Sequence, residues 1–255
     1  MHFCVISSKT ICFALVVVLS AILLSISIGG QTSAQVFLGH STRLVPVYEV
    51  ATQEKKIAIS FDAAWGADKT QGILDTLKDY NATATFFLVG FWIDKYQDMV
   101  KKIDDAGMEI GNHSLTHPDM TTISAEKMHE EIATVNNQIT QITNKSVKVF
   151  RCPYGAYNNN VINSIQQENL LPVQWSVDSL DWKGISAQEI AKRVLSTAKS
   201  GSIILCHNNA DNILDALVLI LDRLTIQGYK IVSVGELVYF DNYQIDHNGV
   251  QSKTA

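Results

Sequence analysis

The feature that most constrains this chain is a regular alternation of short apolar runs with amphipathic stretches, about one pair every twenty-five to thirty residues. Ile57-Ala58-Ile59-Ser60-Phe61 reads as a strand, and further strands are predicted over 83–89, 108–111, 147–151, 172–177, 202–206 and 230–234. Helices are predicted between them, over 70–80, 96–106, 124–142, 160–168, 187–198 and 213–226, with a short helical turn over 235–239. Gly107 and Gly228 sit where two of these helices should stop, and Ser124 where one should start. A strand–helix–strand rhythm of this kind predicts a parallel sheet with right-handed crossovers, and about seven such units close, or nearly close, into a barrel.

Residues 11–28 form a nearly all-apolar run, preceded by Lys9 and followed by Gly29-Gly30-Gln31-Thr32-Ser33-Ala34. We read 1–34 as an export signal, either cleaved near Ala34 or retained as a membrane anchor, because the run is long for a leader and just long enough to span. The positive charge on its amino-terminal side places the rest of the chain outside the cytoplasm in either case. Residues 35–54 are expected to be a linker with a possible edge strand over 44–50, residues 55–240 the main domain, and 241–255 a loose polar tail. The formal charge is −5, with no basic stripe, which argues against a nucleic-acid partner. Beyond the leader only Cys152 and Cys206 remain, too few for a disulfide framework, and burial beside a strand is the expected role of each.

In a parallel barrel the functional groups gather at the carboxyl ends of the strands, because the loops there converge on one mouth. Those positions hold Ser60-Phe61-Asp62, His113-Ser114-Leu115-Thr116-His117, Arg151-Cys152-Pro153-Tyr154-Gly155, Asp178-Ser179-Leu180-Asp181-Trp182, and Ile203-Ile204-Leu205-Cys206-His207. Two imidazoles four residues apart, just past a strand end, can turn toward one borderline-soft cation such as zinc. Asp62, Arg151, Asp181 and His207 each have an ordinary explanation singly, as a cap, a surface cation or a core imidazole. Their joint appearance at successive strand ends points to a catalytic mouth.

These five motifs, in this order, resemble the polysaccharide deacetylase family, carbohydrate esterase family four, over roughly residues 56–238. The resemblance implies a distorted (β/α) barrel that removes N-acetyl groups from peptidoglycan or a related N-acetylated glycan. It assigns Asp62 as general base, Arg151 as the cation that positions it, His207 as general acid and Asp181 as the carboxylate tuning that acid. It further assigns the Tyr154 backbone as an oxyanion donor, Trp182 as a wall of the substrate groove, and His113 and His117 as ligands of a divalent metal, zinc with cobalt or nickel as alternatives.

The family's second aspartate, a metal ligand, is Ala63 here. Alanine cannot bind metal, so a weakened site is expected, in which Asp62 or Asp68 supplies the missing carboxylate or water completes the shell. Asp68 has a second reading as the N-cap of the helix beginning near Thr70. With Trp65-Gly66 following, the variant motif resembles a spore-associated branch of the family, and a cell-wall setting is implied. Two further functions stay open: a catalytically weak or inactive glycan-binding protein, and an amidase acting on another carbon–nitrogen bond.

Overall fold

Strand β2, Lys56–Ala63, is the spine of the sheet. The computed structural model describes residues 9, 13, 15–20 and 43–254. All but the first residue of β2 are buried, which is why it reads as one apolar run: a parallel strand is covered on both faces and needs no polar alternation. Along one edge β2 pairs in parallel with β8 (Ile203–His207). Along the other it pairs with β3 (Thr85–Leu88) in its upper half and β9 (Lys230–Val232) in its lower half. From β3 the sheet continues through β4 (Glu109–Asn112), β5 (Val149–Phe150) and β6 (Leu171–Pro172), and from β8 to β7 (Val177–Asp178), all parallel.

The helices α1 (Thr70–Asp79), α2 (Gly90–Lys95), α3 (Gln97–Asp105), α4 (Ala125–Thr143), α5 (Asn159–Gln167), α6 (Ala187–Thr197), α7 (Ile213–Ile226) and α8 (Val234–Leu237) connect these strands. The result is an α/β distorted barrel, as expected. Ile57, Ile59, Phe61 and Ala63 of β2 point into the apolar layer shared with the helices, while Ala58 joins a second apolar cluster with Phe87 and Val149. Ser124 caps α4 by accepting from the Lys127 amide, and Asn144 ends that helix in the left-handed conformation. A capping box of Ser186 and Glu189 opens α6.

Three expectations are corrected. The strand expected over 172–177 is two strands, β6 and β7, on opposite edges of the sheet, so the barrel has a seam between them. The segment expected to be a linker fills that seam: the Val47 amide donates to Pro172 O (2.9 Å), the Gln174 amide donates to Val47 O (2.7 Å), and the Val50 amide donates to Gly201 O (2.9 Å). Val47 and Val50 are buried accordingly. The tail expected to be loose forms β10 (Tyr243–Ile245) and β11 (Val250–Lys253), an antiparallel pair that continues onto β1 (Glu49–Val50). Buried Gln251 exchanges two hydrogen bonds with the Tyr239 backbone, which ties this small sheet to the domain.

The chain divides into units 1–42 and 43–255. In the first, residues 9, 13 and 15–20 are helical, and the rest of the expected leader lies outside the described residues. No helix among the described residues is long and apolar enough to cross a membrane. Cys152 and Cys206 are unpaired and buried, as their strand-end positions suggested.

Gly201 is the tightest point of the seam. Its φ is +85°, and a Cβ there would lie 1.8 Å from Val50 O. Gly201→Ala is therefore expected to destabilise the fold by roughly 2–3 kcal/mol, read as a lower urea midpoint. An unchanged midpoint would mean that the 44–51 segment does not close the barrel.

Candidate active site

The register of β2 against β8 sets Asp62 directly opposite His207. Neighbouring strands lie about 4.8 Å apart, so two groups more than a hundred residues apart in the chain meet at one mouth. Each has its own brace. Asp181 accepts from the His207 ring through Oδ1 (Nδ1, 2.7 Å) and from the His207 backbone amide through Oδ2 (2.7 Å). Nδ1 is thereby engaged, and Nε2 is left as the ring's other proton-carrying position. Burial opposes charging of His207, but the hydrogen bond and charge of Asp181 outweigh it and raise the pKa above the usual histidine value.

Asp62 is braced by Arg151, whose Nη1 donates to its Oδ1 at 2.8 Å. Burial pushes the Asp62 carboxyl up, yet Arg151, His113 and His207 together hold it below the ordinary carboxylate range. Arg151 is itself fully buried, with Phe87 stacked at 4.1 Å and Trp175 at 5.6 Å from its guanidinium carbon. Its Nη2 donates to Gln174 O at 3.0 Å, a carbonyl available because the chain leaves the sheet at the seam.

His113 and His117 flank a loop held in unusual backbone geometry, with Ser114 at φ +69° and His117 at φ +58°. Asn112 accepts from the Ser114 amide, and Ser114 Oγ accepts from the His117 amide. Glu131, fully buried on α4, accepts from both the amide (2.7 Å) and the hydroxyl (2.8 Å) of Thr116. His113 Nδ1 donates to Arg151 O (2.8 Å), so in the neutral ring Nε2 presents its lone pair to Asp62 Oδ2 at 3.5 Å. Burial lowers the pKa of His113, and burial with the neighbouring His113 lowers that of His117 to about 4, so both rings are neutral at pH 7. The rings meet edge to face, 5.0 Å apart, and His117 Nδ1 is buried without a partner.

Two neutral imidazoles beside a carboxylate are a cation's environment, but a third dedicated ligand is missing. Ala63 has no donor and packs into the apolar layer. Asp68 is exposed and lies outside the cleft lining, which corrects the expectation that it folds back; nor does it cap α1, whose N-cap position is Lys69. Among the described residues no group of three or more His, Cys, Asp or Glu is arranged to hold an ion. The residues thus do not fit the two-histidine, one-aspartate metal site that the family implies.

Asp62, His113, His117, Asp181 and His207 open onto a cleft of about 700 Å³, also lined by Tyr154, Trp175 and Trp182. Tyr154 is left-handed (φ +58°), which swings its ring out against His117, with centroids 4.6 Å apart. Sequence reasoning missed Glu131, Gln174 and Trp175. Only Glu131 left a signal, an acidic residue on the apolar stripe of α4.

The polysaccharide deacetylase family model matches residues 49–173. A peptidoglycan-N-acetylglucosamine deacetylase of Bacillus cereus is 34% identical over 183 residues, covering 70% of this chain and 66% of that protein. The peptidoglycan-N-acetylmuramic acid deacetylase PdaA of Bacillus subtilis is 33% identical over 193 residues, covering 74% of this chain and 73% of that protein. The chain spans between 42% and 66% of the length of the first curated relatives it matches. Among solved structures, a CE4 family pseudoenzyme from Bacillus anthracis superposes with a TM-score of 0.74 at 32% identity, over 77% of this chain and 69% of that one. With the barrel, the five strand-end motifs and these relatives in agreement, the chain belongs to the polysaccharide deacetylase family, carbohydrate esterase family 4.

Proposed function

We propose that this protein is a hydrolase that removes N-acetyl groups from cell-wall peptidoglycan or a related N-acetylated glycan outside the cytoplasm. The observation that carries this reading is the pairing of Asp62 and His207 on adjacent strand ends, each with its own buried brace. A pure glycan binder has no chemical need for either brace.

Water attacks the acetamide carbonyl carbon while Asp62 takes its proton. The tetrahedral oxyanion that forms is assigned to the Tyr154 backbone N–H. The carbon–nitrogen bond then breaks as His207 delivers a proton to the departing nitrogen, giving acetate and a free amine. Arg151 keeps Asp62 ionised and aimed, and Asp181 raises the pKa of His207, which favours its proton-giving form. Trp182, 59% exposed at the rim, offers a flat face to a sugar ring. The apolar run at 11–28 behind Lys9 supports export, with any membrane attachment through that segment alone. A depressed carboxylate is a weak base, so slow turnover is expected.

Ala63 supports a second reading, a glycan-binding protein that no longer turns over, as does the fold shared with a pseudoenzyme. A mutant of that neighbour with restored enzymatic activity keeps the same likeness, with a TM-score of 0.74. Acetate release from N-acetylated chito-oligosaccharides or peptidoglycan separates the two. The wild type should release acetate, and Asp62→Asn and His207→Ala should each lower the rate by roughly 100-fold or more. Glycan binding without acetate release in the wild type establishes the binder instead.

The two braced groups also set the pH profile. Rate should climb as pH rises through the depressed pKa of Asp62, stay level, and fall as pH passes the raised pKa of His207. Asp181→Asn should move the alkaline limb to lower pH, because it removes the charge that holds the proton on His207. An alkaline limb that stays in place would show that another group is the acid. For the cation, calorimetry should find zinc, cobalt or nickel bound more weakly than by a two-histidine, one-aspartate site, with His117→Ala removing what binding there is. Identical titrations of wild type and His117→Ala would exclude these imidazoles as ligands.

A further inference from the structure

Trp65 lines the cleft beside His117 but takes no part in the steps above. It is 66% exposed, yet its loop is tied down on two sides. The Gly66 carbonyl accepts from Trp92 Nε1 (2.6 Å) and Asn208 Nδ2 (2.9 Å). Gly66 is left-handed at φ +63°, and a Cβ there would fall 2.3 Å from Asn209 Nδ2, so the loop fits closely against the segment after β8. The Trp65 ring stands 5.5 Å from His117 and 6.5 Å from Phe91, itself 39% exposed. A large ring held in water on a pre-ordered loop gains little for the folded protein, but it loses little conformational freedom when a flat apolar face settles on it.

The charges of the cleft narrow the ligand. Asp178 and Asp211 line it, whereas no Lys or Arg does among the described residues. Lys69 lies 3.8 Å from Asp211, and Lys183 lies over the Trp182 ring at 5.1 Å. A sugar bearing a carboxylate would meet acidic side chains here and no lining cation to pair with.

We propose that Trp65, extended by Phe91, is a second sugar subsite that stacks the neighbour of the unit held at Asp62 and His207, and that both units are uncharged N-acetylglucosamine rather than either being a carboxylate-bearing muramic unit. This rests on the glycan reading above and specifies which chain the site takes. The test is titration of the full-length chain with tetra-N-acetylchitotetraose and with a tetrasaccharide alternating N-acetylglucosamine and N-acetylmuramic acid, alongside acetate release from each. Trp65→Ala should weaken chitotetraose binding roughly five- to tenfold, and Trp65→Tyr should restore most of it. The wild type should bind chitotetraose several-fold more tightly than the muramic chain. Equal affinity of wild type and Trp65→Ala overturns the subsite while acetate release leaves the deacetylase reading standing. Equal losses in Trp65→Ala and Trp65→Tyr make the residue structural and overturn it too. Tighter binding of the muramic chain overturns the assignment of the unit. A wild type that neither binds nor cleaves either chain brings down the glycan reading, and the subsite with it.

Discussion

The buried ion pair of Arg151 and Asp62 is the interaction on which the mouth of the barrel depends. A guanidinium fully removed from water needs its charge balanced and its donors occupied, and removing one partner of such a pair typically costs about 3–5 kcal/mol. Here Nη1 is taken by Asp62 at the end of β2 and Nη2 by the Gln174 carbonyl at the seam, with the rings of Phe87 and Trp175 against the guanidinium, while Nε is buried without a partner among the described residues. The seam between β6 and β7 is therefore tied to the chemistry. A continuous strand over 172–177 would direct the Gln174 carbonyl into a ladder rather than to Arg151.

The same pair determines what Asp62 can do. Held ionised by Arg151, with two neutral imidazoles on its other flank, it is always ready to accept a proton and is a weak acceptor. His207 is tuned the opposite way by Asp181, so the two groups are driven apart in pKa by their surroundings. The proposed division of acid from base is kept although position 63 is filled by an alanine. The proposed proton-transfer pair thus stands beside an incomplete cation site.

Much of this was legible in the residues. Strand ends could be located because apolar runs bounded by glycine and caps mark elements by local periodicity, and Asp62, His113, Arg151, Asp181 and His207 all stand at or just past such ends. Less legible were the supports. Glu131 reaches back fifteen residues to hold the loop between the histidines, and Gln251 closes onto Tyr239 from a segment whose strands, at three and four residues, are too short to show alternation. The split of 172–177 was hidden for a related reason, since a run of six residues carries no sign of which neighbour each half will pair with.

By itself, the sequence determined the alternation of strands and helices through most of the main domain, the chemical groups available at each strand end, and the missing donor at Ala63, because these depend only on residue identity and short-range spacing. The tertiary structure decided which of those groups meet. Asp62 and Arg151 are 89 residues apart, and Asp181 and His207 are 26 apart, so their contacts follow from strand register and from where the sheet breaks. It also decided that Ala63 faces the apolar layer, that Asp68 stays outside, and that Trp65 stands exposed on a fixed loop. Those outcomes arise from packing between distant segments, which no local pattern encodes.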